Sequence, residues 1–336
     1  MDLKTLTEAF GPSGYENEVR KLLKEAASAY CDDITIDRSG NLVCRKPGRD
    51  HAKPAVTFAA HMDEIGFIIT GYTDDGLLRC RPIGGVDPRV VVSKWVLIGP
   101  DRIKGIIGAM AIHLQTAADR ERVLGYDNLY IDIGASDGKE AEKLCPLGTY
   151  AVFDSEYTEF GDGFVTARAL DDRVGCLNLL EILKNSDYEG DLCCVFVTQE
   201  EVGLRGSAGA AFLLQPDIAI ILEGTAANDL GDTPPRYQVC VPGEGVAISF
   251  MDHASIADRD LFHQMKEIAA RQGIPHQIKR AITGGNDAGS FQTAGKGART
   301  CVLSVPCRYI HSGNNVAKLS DIKAQADLAI AFLNSL

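Results

Sequence analysis

The apolar run Val195-Phe-Val-Thr198 stops abruptly at Gln199-Glu200-Glu201 and then enters the glycine-punctuated turn Val202-Gly-Leu-Arg-Gly206. Successive side chains on a strand point to opposite faces. Two adjacent glutamates at a strand end therefore cannot do the same job: one can bind something while the other reaches toward what is bound. A lone Glu-Glu pair of this kind is ordinarily a solvated strand end. The rest of the chain gives it another meaning.

Such a run belongs to a buried strand, and several others alternate with helical patterns. Residues 55–60, 191–198, 217–222 and 298–305 read as strands, with further β character at 246–251 and 276–281. Apolar residues at helical spacing predict helices over 2–10, 18–30, 174–184, 208–214, 258–271 and 321–334. Ser13-Gly-Tyr-Glu16 has the capping-box spacing before the second of these. Between Gly66 and about residue 160 the texture changes to short strands and turns, with Val90–Gly99 and Ile103–Ile107 among the strands. The expected fold class is α/β, a mixed sheet sandwiched by helices, interrupted by a small β-rich domain.

At 336 residues the chain can bury a large core and hold two domains. Its net charge of -12 argues against nucleic acid or an anionic membrane as the main partner. No apolar run is long enough to cross a bilayer, and Met1-Asp-Leu-Lys-Thr5 lacks the form of a secretory signal. The ten cysteines include no Cys-x-x-Cys pair. Reduced thiols in a cytoplasm are therefore expected, and any metal chemistry falls to His, Asp and Glu.

Those residue types recur just past strands or at turns into helices: His61 with Asp63, Asp171 with Asp172, Glu200 with Glu201, Glu223, and His311. In open α/β sheets ligands bind at the carboxyl ends of strands, where distant segments converge. Imidazoles and carboxylates suit borderline or hard divalent ions. A pair of ions also needs a bridging carboxylate and a nearby base, which this set supplies. Taken singly, each has a plainer explanation. His61 could be a satisfied histidine, Asp171-Asp172 a helix cap, Glu223 an ordinary strand residue and His311 a loop histidine. Asp63, two residues after His61, favours ligation, because metal-bound histidines commonly give their second N–H to a carboxylate. Asp287 is expected to hold the loop Gly284–Gly289 rather than to bind metal. His113, in Ile112-His-Leu114 within the β-rich stretch, is expected to be structural, and His51, His253, His263 and His276 show no partner pattern.

The segments His61-Met-Asp-Glu-Ile-Gly66, Ala169-Leu-Asp-Asp-Arg173, Gln199–Gly206, Gly284-Gly-Asn-Asp-Ala-Gly289 and Tyr309-Ile-His-Ser312 resemble, in order and over nearly the whole chain, the M42 metallo-aminopeptidases. This is the glutamyl and tetrahedral (TET) aminopeptidase group. The resemblance implies a discontinuous catalytic domain over residues 1–66 and 163–336. It also implies an inserted PDZ-like or barrel dimerisation domain over 67–162. Two divalent ions per subunit follow, zinc or cobalt foremost and manganese an option. Asp171 would bridge them, with His61 and Glu223 completing one site and Glu201 and His311 the other. Glu200 would be the general base and Asp63 would orient His61. The chain departs from the family pattern at Glu223, where relatives often have Asp, at Asn286 (Thr) and at Arg168 (Lys).

The implied activity removes N-terminal residues from short peptides, in dimers that assemble into a hollow dodecamer. The rivals are hydrolysis of another amide, such as an N-acyl amino acid, and a non-catalytic assembly protein. An acidic preference would need a basic group near the first side chain; Arg81, Lys104, Arg205 and Lys296 are the cations considered for that position.

Overall fold

The computed structural model describes residues 1–336, with every side chain except that of Asp119. Eight strands form the main sheet in the order Asp33–Ile36, Leu42–Lys46, Leu192–Val197, Val56–His61, Ile218–Ala226, Arg299–Cys307, Val246–Ser249 and His276–Ile278. The four central strands, from Leu192–Val197 to Arg299–Cys307, are parallel, so their carboxyl ends lie along one edge. The outer pairings include antiparallel ones, which makes the sheet mixed.

Continuous apolar runs are what a parallel sheet covered on both faces requires. Phe58, Ala60, Cys194, Phe196, Ile220 and Leu222 face one core, which the helices Asn17–Ala27, Leu170–Asn185, Arg259–Gln272 and Leu319–Leu333 cover. The alternate residues Ala59, Val195, Val197, Ala219 and Ile221 face a second core under Arg205–Leu214 and Ala288–Thr293. Register thus decides the outcome: a slip of one residue would exchange the two faces.

Directly after the strand Val56–His61 the chain enters a closed antiparallel barrel. Its strands run in the order Gly66–Tyr72, Leu78–Ile83, Leu129–Asp132, Ile103–Ala109, Trp95–Ile98 and Tyr150–Phe153. The barrel has its own core, with Phe67, Val96, Ile131 and Phe153 fully or almost fully buried. Closure removes the exposed edges that a sheet this small would otherwise present. A three-stranded sheet, Thr158–Phe160, Phe164–Ala167 and Asn315–Lys318, leads back to the main body. Among the described residues, no helix is long and apolar enough to cross a membrane.

Two local expectations are corrected. The second helix has no capping box: its N-cap is Glu16, with no side-chain cap bond. Ser13 Oγ instead donates to Asp63 Oδ2 at 2.6 Å, and Glu16 Oε1 accepts from the Gly14 amide. A carboxylate from a distant segment has outcompeted the local cap. Within Val90–Gly99 only Trp95–Ile98 is strand. Asp87 and Pro88 start a single 3₁₀ turn ahead of it, with Asp87 accepting from the Arg89 amide.

Candidate metal centre

The carboxyl ends of the four parallel strands deliver the site. His61 is the last residue of its strand, and Val197, its register partner, leads through Thr198 and Gln199 to Glu200 and Glu201. Glu223 lies near the end of the third strand and is in register with Ser304 of the fourth. His311 follows the fourth strand in a backbone turn with φ of +58°. Asp171 comes from the start of the helix beneath the sheet, where Asp171 and Asp172 have non-helical angles and are joined by a cis peptide.

A cavity of about 220 Å³ is lined by Asp171, Glu200, Glu201, Glu223 and His311, with the loop Thr283–Asn286 across it. His61 Nε2 lies 3.5 Å from Asp171 Oδ1 and 3.8 Å from Glu223 Oε2. His311 Nε2 lies 3.3 Å from Glu201 Oε2 and 3.8 Å from Asp171 Oδ2. The two oxygens of Asp171 thus face two separate imidazoles. The Nδ1 atoms of both rings sit against backbone carbonyls, of Asp63 at 3.1 Å and of Gly85 at 3.2 Å. Carbonyls only accept, so each Nδ1 carries hydrogen and each Nε2 can present a lone pair to the cavity.

The adjacent Asp172 has another task. Its Oδ1 accepts from the Gly175 amide at 3.0 Å and its Oδ2 from the His61 amide at 3.2 Å. His61, Asp172 and Glu223 also lie close enough to form a ligand cluster, as do His61, Asp171 and Glu201. Because both oxygens of Asp172 already hold backbone amides, Asp171 is the better ligand. The helix-cap explanation therefore holds for one aspartate of the pair and not for the other.

Asp63 is wholly buried, and its carboxylate does more than face His61 at 3.6 Å. It accepts from the amides of Glu200 at 3.0 Å and Glu201 at 3.2 Å, and from Ser13. Burial alone would raise its pKa; the His61 ring, Ser13 and the Glu200 amide outweigh that and hold it below the usual carboxylate value. Asp63 therefore pins the turn that carries both glutamates, while its backbone carbonyl fixes the imidazole.

The remaining carboxylates crowd one another. Burial, reinforced by neighbouring negative charge, pushes Glu200 and Glu223 well above the ordinary glutamate range and Glu201 up to about 8. For His61, burial works to lower the pKa, but Asp171 and Asp63 prevail and raise it well above the usual value. Glu223 Oε1 is buried with no hydrogen-bond partner among the described residues. A buried acceptor without a donor is costly, and here it belongs to a set of oxygens and imidazole nitrogens facing one space. That donor set fits divalent cations.

Some contributing residues had no local signal. Glu64 forms a buried network with Arg168 at 3.1 Å and Arg173 at 3.3 Å, tying the segment after His61 to the helix carrying Asp171. Gly224 has to be glycine: a Cβ there would lie 2.9 Å from Asp171 Oδ1, which its amide already contacts at 3.1 Å. Asp287 does not hold its loop through its carboxylate. Among the described residues neither of its oxygens has a hydrogen-bond partner, and burial pushes it up to about 6. Ser207 faces it and partly offsets that rise, but Ser207 gives its hydroxyl to Leu204 and Ser290. Asn286, bonded to Asp252 at 2.8 Å, fastens the loop instead. Of the cations weighed for specificity, Arg81, Lys104 and Lys296 are paired with Asp127, Asp154 and Asp217, outside the cavity. Arg205 does not line it either.

The sequence matches the M42 glutamyl aminopeptidase family over residues 40–328. It is 31% identical to the lysyl aminopeptidase of Pyrococcus furiosus, over 99% of this chain and 96% of that one. The fold superposes on aminopeptidase APDkam598 of Desulfurococcus kamchatkensis with a TM-score of 0.94 at 34% identity, covering 99% and 94% of the two chains. For the TET1 peptidase of Pyrococcus horikoshii, described as assembling into a tetrahedron or a large octahedral shell, the TM-score is 0.86 at 33% identity, with 98% of each chain covered. Similarity along the whole chain, together with a barrel carried on a mixed α/β sheet, makes this chain a member of the M42 peptidase family.

Proposed function

We propose that this chain removes N-terminal residues one at a time from short peptides, using two divalent ions held in the cavity. His61, Asp171 and Glu223 would hold one and Asp171, Glu201 and His311 the other. The observation that carries this reading is the convergence of those five side chains, with Glu223 Oε1 left unpartnered. When bound, such ions acidify water and polarise the carbonyl of the first peptide bond. Zinc, cobalt and manganese all suit the donor set.

The protein's own groups do the rest. Glu200 lines the cavity and is not needed as a ligand. Its raised pKa suits a carboxylate that takes a proton from the attacking water and returns it to the leaving amine. Asp63 holds that glutamate through its backbone amide. A free substrate amine is attracted by the cavity's carboxylates, which limits removal to one residue at a time.

Self-assembly through the barrel belongs to the same reading. Met110, Ile112, Leu114 and Val123 expose apolar side chains on its surface, and inward-facing sites would admit peptides but not folded proteins. The ten buried free thiols suit a reducing cytoplasm.

The test replaces Glu200 with Gln. Turnover of a free-amine dipeptide should fall at least ~100-fold while both ions stay bound by elemental analysis; near wild-type turnover would remove Glu200 from the mechanism. N-acetylation of the dipeptide should abolish hydrolysis. A light-scattering mass equal to one chain in active enzyme would refute the assembly.

A further inference from the structure

The turn that carries His311 is held from outside the main body. Tyr309 and His311 have φ of +56° and +58°, a region that residues other than glycine occupy mainly where their surroundings enforce it. Ser312 Oγ donates to the Tyr309 carbonyl at 2.6 Å, and Asn315 Nδ2 donates to the Ser312 carbonyl at 2.9 Å. These bonds close the turn on itself without fixing where it stands relative to Glu201. Two segments of the barrel fix that position. Gly85, in the loop after the strand Leu78–Ile83, lines the cavity and accepts from His311 Nδ1 at 3.2 Å. A Cβ on Gly85 would lie 3.0 Å from that nitrogen, and one on Gly84 would lie 3.3 Å from Glu201 Cβ. On the other side Gly313 packs on Phe153, whose ring a Cβ would meet at 3.1 Å. Its carbonyl accepts from Ser155 Oγ, just past the barrel strand Tyr150–Phe153.

The partner site has no such support from the barrel. His61 Nδ1 rests on the Asp63 carbonyl, and Glu223 is embedded in the central sheet beside Ser304. The His61 side chain is 1% exposed and that of His311 37%, so His311 has room to leave its place and His61 has none.

We propose that the barrel is a working part of the metal centre: through Gly85 and Ser155 it positions His311, so that the ion of Glu201 and His311 is held firmly only while the barrel is docked, and the ion of His61 and Glu223 is not subject to it.

The proposal rests on the two-ion reading and deepens it. A ligating imidazole is oriented by the group its other nitrogen donates to, and losing that group costs about 10–100-fold in metal affinity. Here that group belongs to a unit with its own core. Movement of the barrel against the main body is therefore felt at one ion and not at the other. Gly85 and Ser155 act as positioning residues.

The test titrates cobalt into metal-free, full-length protein against a competing chelator. Wild type should bind two ions, and His311→Ala should remove one binding step, which marks the step that belongs to that site. Gly85→Ala sets a methyl against the imidazole, and Ser155→Ala removes the donor to Gly313. Each should weaken the marked step at least about tenfold and leave the other within about threefold of wild type. Ser155→Thr keeps the hydroxyl and should bind as wild type does. Turnover of a free-amine dipeptide should fall in the two weakened variants at limiting cobalt and recover in excess cobalt, which a damaged fold would not do. Should Gly85→Ala fail to fold, Ser155→Ala decides. The proposal is overturned if neither variant weakens the marked step, or if both steps weaken by one factor, as general loosening would produce. Wild type that binds fewer than two ions defeats the two-ion reading and this proposal together; two ions with unaffected variants defeat this proposal alone.

Discussion

Replacing Asp63 with alanine probes how the fold holds the site. The carboxylate accepts the Glu200 and Glu201 amides at 3.0 and 3.2 Å and the Ser13 hydroxyl at 2.6 Å. Ser13 can turn its hydroxyl elsewhere, but the two amides are fixed by the turn. Each part-buried donor left without an acceptor costs up to about 1–3 kcal/mol, so the pair costs up to about 2–6 kcal/mol. Against this stands relief from burying a charge. The pKa of Asp63 points the same way as those costs: burial raises it, yet His61, Ser13 and the Glu200 amide bring it below the ordinary value, so the native site favours the ionised over the protonated carboxyl. The alanine variant should therefore be less stable by several kcal/mol, a large part of the roughly 5–15 kcal/mol typical of a folded protein. Asp63→Asn, which keeps one acceptor, should lose about half as much. Urea unfolding of chelator-treated protein measures this, and exchange of the Glu200 and Glu201 amides should quicken in the alanine variant. With the turn released, metal affinity should fall about 10–100-fold. An alanine variant with the wild-type urea midpoint and unchanged amide exchange would show that something else holds the turn.

Three further outcomes follow from other contacts. Gly224→Ala puts a methyl 2.9 Å from Asp171 Oδ1; it should cost about 1–3 kcal/mol and weaken ion binding measured by chelator competition. Glu64→Ala strips Arg168 and Arg173 of their buried carboxylate and should destabilise by about 3–5 kcal/mol in urea, while Glu64→Gln should lose less. Metal-free protein should lose stability as pH rises from about 4.5 toward 8, because Glu201 has a folded value of about 8 against an unfolded 4.5. A group whose folded pKa is raised favours the native state at low pH and loses that advantage as it ionises. Zinc binding at pH 7 should accordingly release protons, measured by calorimetry in buffers of different ionisation enthalpy. A pH-independent melting temperature for the metal-free protein, with no proton release, would refute the crowding of these carboxylates.

Much of this architecture is legible from local pattern. The buried strands that carry His61, lead to Glu200-Glu201 and carry Glu223 stand out because a parallel sheet covered on both faces needs unbroken apolar runs; the expected strand end at Leu222 was too early, since that strand continues through Glu223 to Ala226. The change of texture after Gly66 marks the barrel for the same kind of reason: short antiparallel strands need frequent turns. Where Ser13-Gly-Tyr-Glu16 promised a capping box, local pattern misled, because the serine hydroxyl went to Asp63, fifty residues on in the chain.

What the amino-acid sequence determined by itself was the kind of side chain near each strand end and the order in which those ends appear, since periodicity and residue chemistry are local properties. Which aspartate of 171 and 172 faces the cavity was decided only by tertiary structure, because it depends on backbone amides contributed by His61 and Gly175. The same holds for the buried Glu64 network and for Gly85, whose carbonyl meets His311 through the placing of the barrel rather than through any neighbour in sequence. Burial and distance are sums over segments that the chain brings together late, and no single stretch of it encodes them.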